Sequence, residues 1–168
     1  VIGEERHSGP AIEADYQVEE GIPTLRMYYK NNGSKSFSLF NAWNYFYAAI
    51  KGYSLLVQKT GKPDIHHVHV LTRAGFWPWL MKITGNIPYI ITEHWSRYTP
   101  QNSISYQGAF RKWFTKKVVK QAAFVCPVNQ NLAKAMQSHG LQNPNYQPVF
   151  NVVDTERFVP RTPSGTRN

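Results

Sequence analysis

Histidines are the residues whose types and spacing could do chemistry in this chain. His66, His67 and His69 lie in one short apolar run, and His94 directly follows the next such run. Because side chains alternate along a strand, His67 and His69 share one face and His66 points the other way. Zinc needs three or four ligands, and an H-x-H pair with one distant Cys126 does not provide a recognisable set. We therefore predict no metal site.

Alternating strands and helices would position these histidines. A hairpin is predicted at residues 16–29 and a long amphipathic helix at residues 39–57, and short strands then alternate with helices from residue 65 onward. This order predicts an α/β fold with a doubly wound, mostly parallel sheet and helices on both faces. The predicted strands cover residues 65–70, 89–92, 124–128 and 147–151, and the predicted helices cover residues 74–84, 106–122 and 131–139.

The carboxyl ends of these strands are the expected ligand-binding edge. In open parallel sheets, ligands bind just beyond the carboxyl ends of the strands. Residues 69–73, residues 93–97 and Asn129 occupy those positions in the predicted order. We therefore expect His69, Arg73 and His94 to gather in one hollow.

Composition limits the classes of protein that fit. Hydrophobic residues make up 42% and charged residues 17% of the 168 residues, as in one ordinary globular domain. The net charge of +9 favours phosphate-bearing or membrane-surface partners. No apolar run reaches the roughly 20 residues needed to cross a bilayer. One cysteine fits a reducing compartment, and the first residues show neither an initiator Met nor a signal peptide, so we expect a cytoplasmic segment from within a longer protein.

Three short motifs carry a resemblance to a known family. Residues 63–73 read PDIHHVHVLTR, residues 87–95 read IPYIITEHW, and residues 151–160 read NVVDTERFVP. In this order they resemble the amino-terminal domain of family 4 glycosyltransferases, whose interdomain segment is usually N-G-V-D-x-x-x-F-x-P. Val152 stands where Gly is commonest. The resemblance implies one Rossmann-like half of the two-domain GT-B fold, with residues 1–154 as the acceptor-side domain and residues 155–168 as a linker toward a nucleotide-sugar domain.

The resemblance also implies an activity and its substrates. A hexosyl group would pass from a nucleotide-sugar donor to a hydroxyl of a saccharide or lipid-linked acceptor, with retention of configuration. The setting would be polysaccharide or glycolipid biosynthesis, by analogy bacterial. The family's first strand and its donor domain have no counterpart here, so we expect a fragment that is inactive alone and self-associates through the incomplete sheet. We expect no cofactor in this fragment, and a nucleotide-sugar donor for the full enzyme.

The residues at the strand ends have expected roles, and the resemblance supplies the role of His94. His94 resembles the histidine of the family's T-x-H motif, which faces the donor sugar; a neutral imidazole would bind a sugar hydroxyl, and an imidazolium would offset phosphate charge. Glu93 would orient His94 or accept from an acceptor hydroxyl, although adjacent strand residues face opposite ways. His67 would pack internally. A structural histidine at 94 and plain surface charge at 93 and 73 are the alternatives. The predicted acceptor-binding residues are His69, Thr72, Arg73 and Arg97.

The helix predicted at residues 106–122 combines an apolar stripe with a basic face. At about 100° per residue, Phe110, Phe114 and Val118 fall together and should face the core. The other side suits the interface of an anionic membrane, at about 1 kcal/mol for each basic residue. The alternative is a solvated basic face with a half-buried tryptophan. The residues predicted to face the membrane, on the inner face of the plasma membrane, are Lys112, Trp113, Lys116, Lys117 and Lys120.

Two other function classes remain open at this point. A non-catalytic adaptor would keep only the membrane face, and the downstream sequence would distinguish it from half an enzyme. A nucleic-acid-binding domain would fit the positive charge and the 14% aromatic content. It lacks a helix-turn-helix, zinc or RNA-binding signature, so we expect no nucleic-acid partner.

Overall fold

The computed structural model describes residues 2–6, 11–30, 38–71 and 73–152. Contacts divide the chain into two compact units, residues 1–64 and residues 65–168. The predicted domain end at residue 154 and the predicted linker fall in residues 153–168, which lie outside the described residues, so the domain division stays a prediction.

The first unit is a three-stranded sheet with one long helix. The strands β1 (Ile2–Arg6), β2 (Ile12–Glu19) and β3 (Ile22–Lys30) lie in the order β1-β3-β2, with β1 parallel and β2 antiparallel to β3. The predicted hairpin is therefore confirmed. Its turn has positive φ at Glu20 (50°) and Gly21 (80°), the combination that matches strand twist in a two-residue loop.

The helix α1 (Ser38–Thr60) packs on β3 and confirms the predicted amphipathic helix. Met27, Tyr29 and Ala48 form its buried core. Gly52 allows the close approach, because a Cβ there would come within 2.6 Å of Met27 Cγ. The helix ends at Gly61, which has a φ of 86°.

The second unit is a parallel three-stranded sheet surrounded by helices. Its elements are β4 (His66–His69), α2 (Phe76–Gly85), β5 (Tyr89–Glu93), α3 (Ala109–Gln121), β6 (Phe124–Pro127) and α4 (Gln130–Ser138), with short 3-10 turns at Arg73–Gly75, Ser96–Tyr98 and Pro100–Ser105. The strand order is β4-β5-β6 and both pairings are parallel. The predicted fold class, a Rossmann-like α/β fold, is confirmed.

The core of this unit follows from the strand alternation. Val68, Ile91 and Val125, one from each strand, are at most 3% exposed. Helix side chains cover them, and burial of each such side chain stabilises the fold by about 1.5–3 kcal/mol. The helical and connecting residues buried with them are Leu71, Tyr98, Tyr106, Val118, Val119, Ala122, Leu132, Met136 and Leu141.

The strand predicted at residues 147–151 is wrong. The structure has one isolated bridge between Val125 and Tyr146 and two backbone hydrogen bonds, from Gln147 N and Val149 N to β6. Pro144 and Pro148 remove two backbone donors from this stretch, which leaves an extended segment beside β6.

The predicted burial of Phe110 is also wrong, because its side chain is 77% exposed. The buried stripe of α3 consists of Thr115, Val118 and Val119, with Ala122 just beyond the helix. This stripe has the i, i+3, i+4, i+7 spacing of a core-facing helix. Phe114, which the count also placed toward the core, is partly buried and packs against it.

Candidate functional site

Two histidines meet at the carboxyl ends of β4 and β5. The parallel register pairs His69 with Thr92, which places His94 just beyond the partner of His69. His69 Nδ1 and His94 Nε2 are 3.4 Å apart in hydrogen-bond geometry, and the rings are stacked with their planes 17° apart. One ring must donate and the other must accept, so the accepting ring nitrogen has no proton in this arrangement. The structure thus brings together two of the three residues expected in the hollow.

His67 extends this pair into a row of three imidazoles. Its ring centroid lies 4.2 Å from that of His69, and its Nε2 lies 2.7 Å from Thr92 Oγ1. The expectation that His67 packs internally is wrong: alternation sends Val68 into the core, so His67 and His69 point outward and are exposed. Partial burial, together with the nearby His69 and His94, lowers the pKa of His67. A neutral imidazole at this position can donate one hydrogen bond and accept another.

Glu93 lies on the opposite side of its strand from this row. Its side chain is 1% exposed, and its carboxylate accepts hydrogen bonds from Leu71 N (3.1 Å) and Trp95 N (2.8 Å). Burial raises the pKa of Glu93, against the opposing effect of these backbone donors and of the Arg97 charge. The carboxylate therefore joins the segment after β4 to the segment after β5. It is placed to hold these segments, not to touch a ligand from the solvent side.

Arg97 and Trp95 form a stacked pair beside Glu93. The guanidinium carbon of Arg97 lies 3.4 Å from the ring centroid of Trp95, and Arg97 is only 7% exposed. Trp95 itself is 47% exposed. A cation over an indole face is attracted by the ring quadrupole, more strongly when it is shielded from water. Acceptor binding by Arg97 stays a prediction, and in this structure its side chain supports Trp95.

A shallow depression of about 360 Å³, largely open to solvent, lies beside these residues and is lined by Val70, His94 and Trp95. Val70 has a φ of 62°, which is rare for a β-branched residue and costs about 1–3 kcal/mol. Its N–H donates to Thr92 O at 3.0 Å, which holds the strained turn beside the sheet. Both residues fall in the ranges 69–73 and 93–97 expected at the ligand-binding edge, but the sequence assigned no role to Val70 or to Trp95.

The remaining predicted positions are only partly visible. Thr72 lies outside the described residues. Arg73 begins the 3-10 turn Arg73–Gly75, and its side chain is outside the described part. Asn129 caps α4, because its side chain accepts from Leu132 N at 2.8 Å. Within residues 2–6, 11–30, 38–71 and 73–152, no group of three His, Cys, Asp or Glu side chains has an arrangement that could hold a metal ion.

A comparison with protein families places this arrangement in a known context. The sequence model described as Glycosyltransferase Family 4 matches residues 10–157. The chain belongs to glycosyltransferase family 4. The match includes the second sheet, strands β2 and β3 of the first sheet and every residue of the histidine row, and no curated protein sequence matches the chain. Membership in family 4 makes the chain a glycosyltransferase domain, whose substrates include a sugar acceptor in the general sense.

The family 4 domain also presents a basic, aromatic surface on α3. Phe110 and Trp113, the two exposed aromatics of this helix, have ring centroids 5.9 Å apart, and Trp113 is 54% exposed. A Cβ at Gly140 would come within 3.0 Å of Lys116 Nζ, which places that amino group near the C-terminal end of α4, where the helix dipole favours a cation. The exposed lysines of this α3 surface are Lys112, Lys116, Lys117 and Lys120.

Among the helices in the described part of the domain, none is both long and apolar enough to cross a bilayer.

Proposed function

We propose that this chain is the acceptor-side half of a two-domain, retaining glycosyltransferase. The full enzyme would transfer a hexosyl group from a nucleotide-sugar donor to a hydroxyl of a saccharide or lipid-linked acceptor. The acceptor oxygen bonds the anomeric carbon, the bond from that carbon to the phosphate oxygen breaks, and the hydroxyl proton passes to the departing phosphate. The observation that supports this proposal is the His69–His94 contact of 3.4 Å at the carboxyl ends of two parallel strands.

The histidine pair suits a reaction that develops positive charge on a sugar while a phosphate leaves. No nucleophile is required of the protein in such a transfer, so orientation and charge stabilisation carry the rate. A neutral His94 would bind a sugar hydroxyl, and His69 would fix its ring and tautomer through the shared hydrogen bond. Glu93 supports the same arrangement from the buried side.

Transfer by the full-length protein tests this function. After a donor screen, we expect His94→Asn to lower kcat by about 10²-fold or more, the usual effect of removing one group that stabilises the transition state. Lys134→Gln is the control, because Lys134 is an exposed residue of α4 in the same unit. Transfer within threefold of the wild type in a folded His94→Asn protein would overturn the proposal.

The α3 surface supports a second proposal, that the domain docks peripherally on an anionic membrane at the cytoplasmic face, near lipid-linked acceptors. Exposed Phe110 and Trp113 would enter the interfacial region while the four lysines contact lipid headgroups. At about 1 kcal/mol for each lysine before screening, removal of all four should weaken binding to anionic vesicles by at least about tenfold.

A vesicle sedimentation assay tests this docking. The variant changes Lys112, Lys116, Lys117 and Lys120 to Gln. The control changes four exposed lysines on other elements, Lys30, Lys51, Lys62 and Lys134, and has the same net charge. Equal loss in both variants would show that net charge alone drives binding and would overturn the role of α3. Sedimentation without lipid also measures the predicted self-association.

A further inference from the structure

Trp95 is an exposed aromatic side chain in the middle of the candidate site. Its indole is 47% exposed and lines the open 360 Å³ depression together with His94 and Val70. The Arg97 guanidinium covers one face of the ring at 3.4 Å. The exposed area therefore belongs to the opposite face and the ring edge, next to the imidazole of His94.

The backbone holds this indole in place. Trp95 N donates to the buried carboxylate of Glu93 at 2.8 Å, and the 3-10 turn Ser96–Tyr98 begins at the next residue. Arg97, which stacks under the ring, is itself buried. An aromatic surface that is ordered before a ligand arrives loses less conformational entropy on binding. This order distinguishes Trp95 from a tryptophan on an open helix face such as Trp113.

We propose that Trp95 is a platform for one pyranose ring. A pyranose presents polarised C–H groups on its faces and hydroxyls around its rim. The negative face of the indole attracts the C–H groups, and the adjacent His94 bonds a rim hydroxyl. The depression is open to solvent, which suits contact with one face of a single sugar ring. This inference rests on the proposed function, which supplies the sugar substrate, and adds the contact that recognises it.

Glycoside binding to the chain itself tests the platform without a donor or a transfer assay. The probes are methyl β-D-glucopyranoside, methyl β-D-galactopyranoside and methyl α-D-mannopyranoside, with uridine as the aromatic alternative. The tryptophans are labelled with ¹⁵N, and we expect at least one glycoside to shift the Trp95 indole N–H signal. Saturation transfer from the protein should reach the C–H protons on the ring of that glycoside. Trp95→Leu should lower its affinity at least tenfold, whereas Trp95→Phe should stay within about threefold because it retains a π face. Trp43→Leu, which changes an exposed tryptophan of α1, is the matched control and should bind as the wild type.

Three results would overturn the platform: no glycoside shifts the Trp95 signal, Trp95→Leu binds as the wild type, or uridine alone contacts this ring. These results are distinguishable from failure of the proposed function. If a glycoside contacts Trp95 but the full-length protein transfers no sugar, the proposed function is contradicted and the role of Trp95 as a platform is supported. Transfer that depends on His94, without glycoside contact at Trp95, would contradict the platform alone. In an active full-length protein, Trp95→Leu should raise the KM for the acceptor more than it lowers kcat.

Discussion

Replacement of Glu93 by Ala should destabilise the second unit more than replacement of any exposed carboxylate does. The Glu93 side chain is 1% exposed and accepts from Leu71 N and Trp95 N. Alanine would leave both backbone donors without this acceptor and would remove a negative charge near the buried Arg97. Glutamine would keep one acceptor oxygen but would turn its NH₂ group toward the other donor.

The magnitude follows from how buried each donor is. A buried donor that loses its partner costs about 1–3 kcal/mol. Leu71 is 2% exposed and should cost most of that range, whereas the N–H of the half-exposed Trp95 can recover a bond to water. We therefore expect Glu93→Ala to lower the free energy of unfolding by about 2–4 kcal/mol and Glu93→Gln by about 1–2 kcal/mol.

Urea unfolding followed by tryptophan fluorescence measures this loss, because four of the five tryptophans lie after residue 64. Asp64→Asn is the control, since it changes an exposed carboxylate. A Glu93→Ala protein within about 0.5 kcal/mol of the wild type would refute the reasoning, because ordinary surface changes fall in that range.

The same carboxylate should make stability depend on pH. Burial raises the pKa of Glu93, so the folded chain binds this proton more tightly than the unfolded chain does. Its contribution is therefore largest below the ordinary pKa of 4.5 and falls as pH rises through the raised value. The stability advantage of the wild type over Glu93→Gln should shrink between acidic and neutral pH, and growth of that advantage would contradict the assignment.

Three further predictions concern neighbouring residues. Val70→Gly should leave the unfolding free energy unchanged or raise it, because relief of the positive φ offsets the lost side chain, whereas Val68→Gly in the core should cost about 3 kcal/mol or more in the same urea assay. Asn129→Ala should cost about 1 kcal/mol, since it removes the cap on Leu132 N, with Asn129→Ser near the wild type. Because the pKa of His67 is lowered, acidification from about pH 7.5 to 5.5 should destabilise the wild type more than His67→Asn in thermal unfolding.

Local periodicity predicted most of the helices and strands of the fold. The hairpin, α1 and the alternation from β4 to α4 all follow from spacing, turn residues and apolar runs. Element ends were predicted less well. The helix predicted from residue 106 begins at Ala109, after Gly108 with its φ of 97°, because Tyr106 enters the core instead of the helix. A propensity count does not detect a side chain that is buried before its helix begins.

The contacts of the site depended on information that spacing does not contain. His69 and His94 are 25 residues apart, and only the β4–β5 register brings them to 3.4 Å. The sequence indicated which edge of the sheet would hold them, but it gave no sign that Val70 would adopt a positive φ or that Arg97 would turn under Trp95. Those features arise from packing between segments that are distant in sequence.

One regularity links the buried and exposed parts of the site. Along β4, Val68 enters the core and His69 therefore faces outward; at the end of β5, Glu93 is buried and His94 is exposed. The core side chain of each pair thus determines the direction of the histidine beside it. A slip of one residue in the register would exchange the two faces and bury an imidazole in place of Val68 or Glu93. Substitutions that disturb these two anchors should therefore displace the histidine pair even though both anchors are buried.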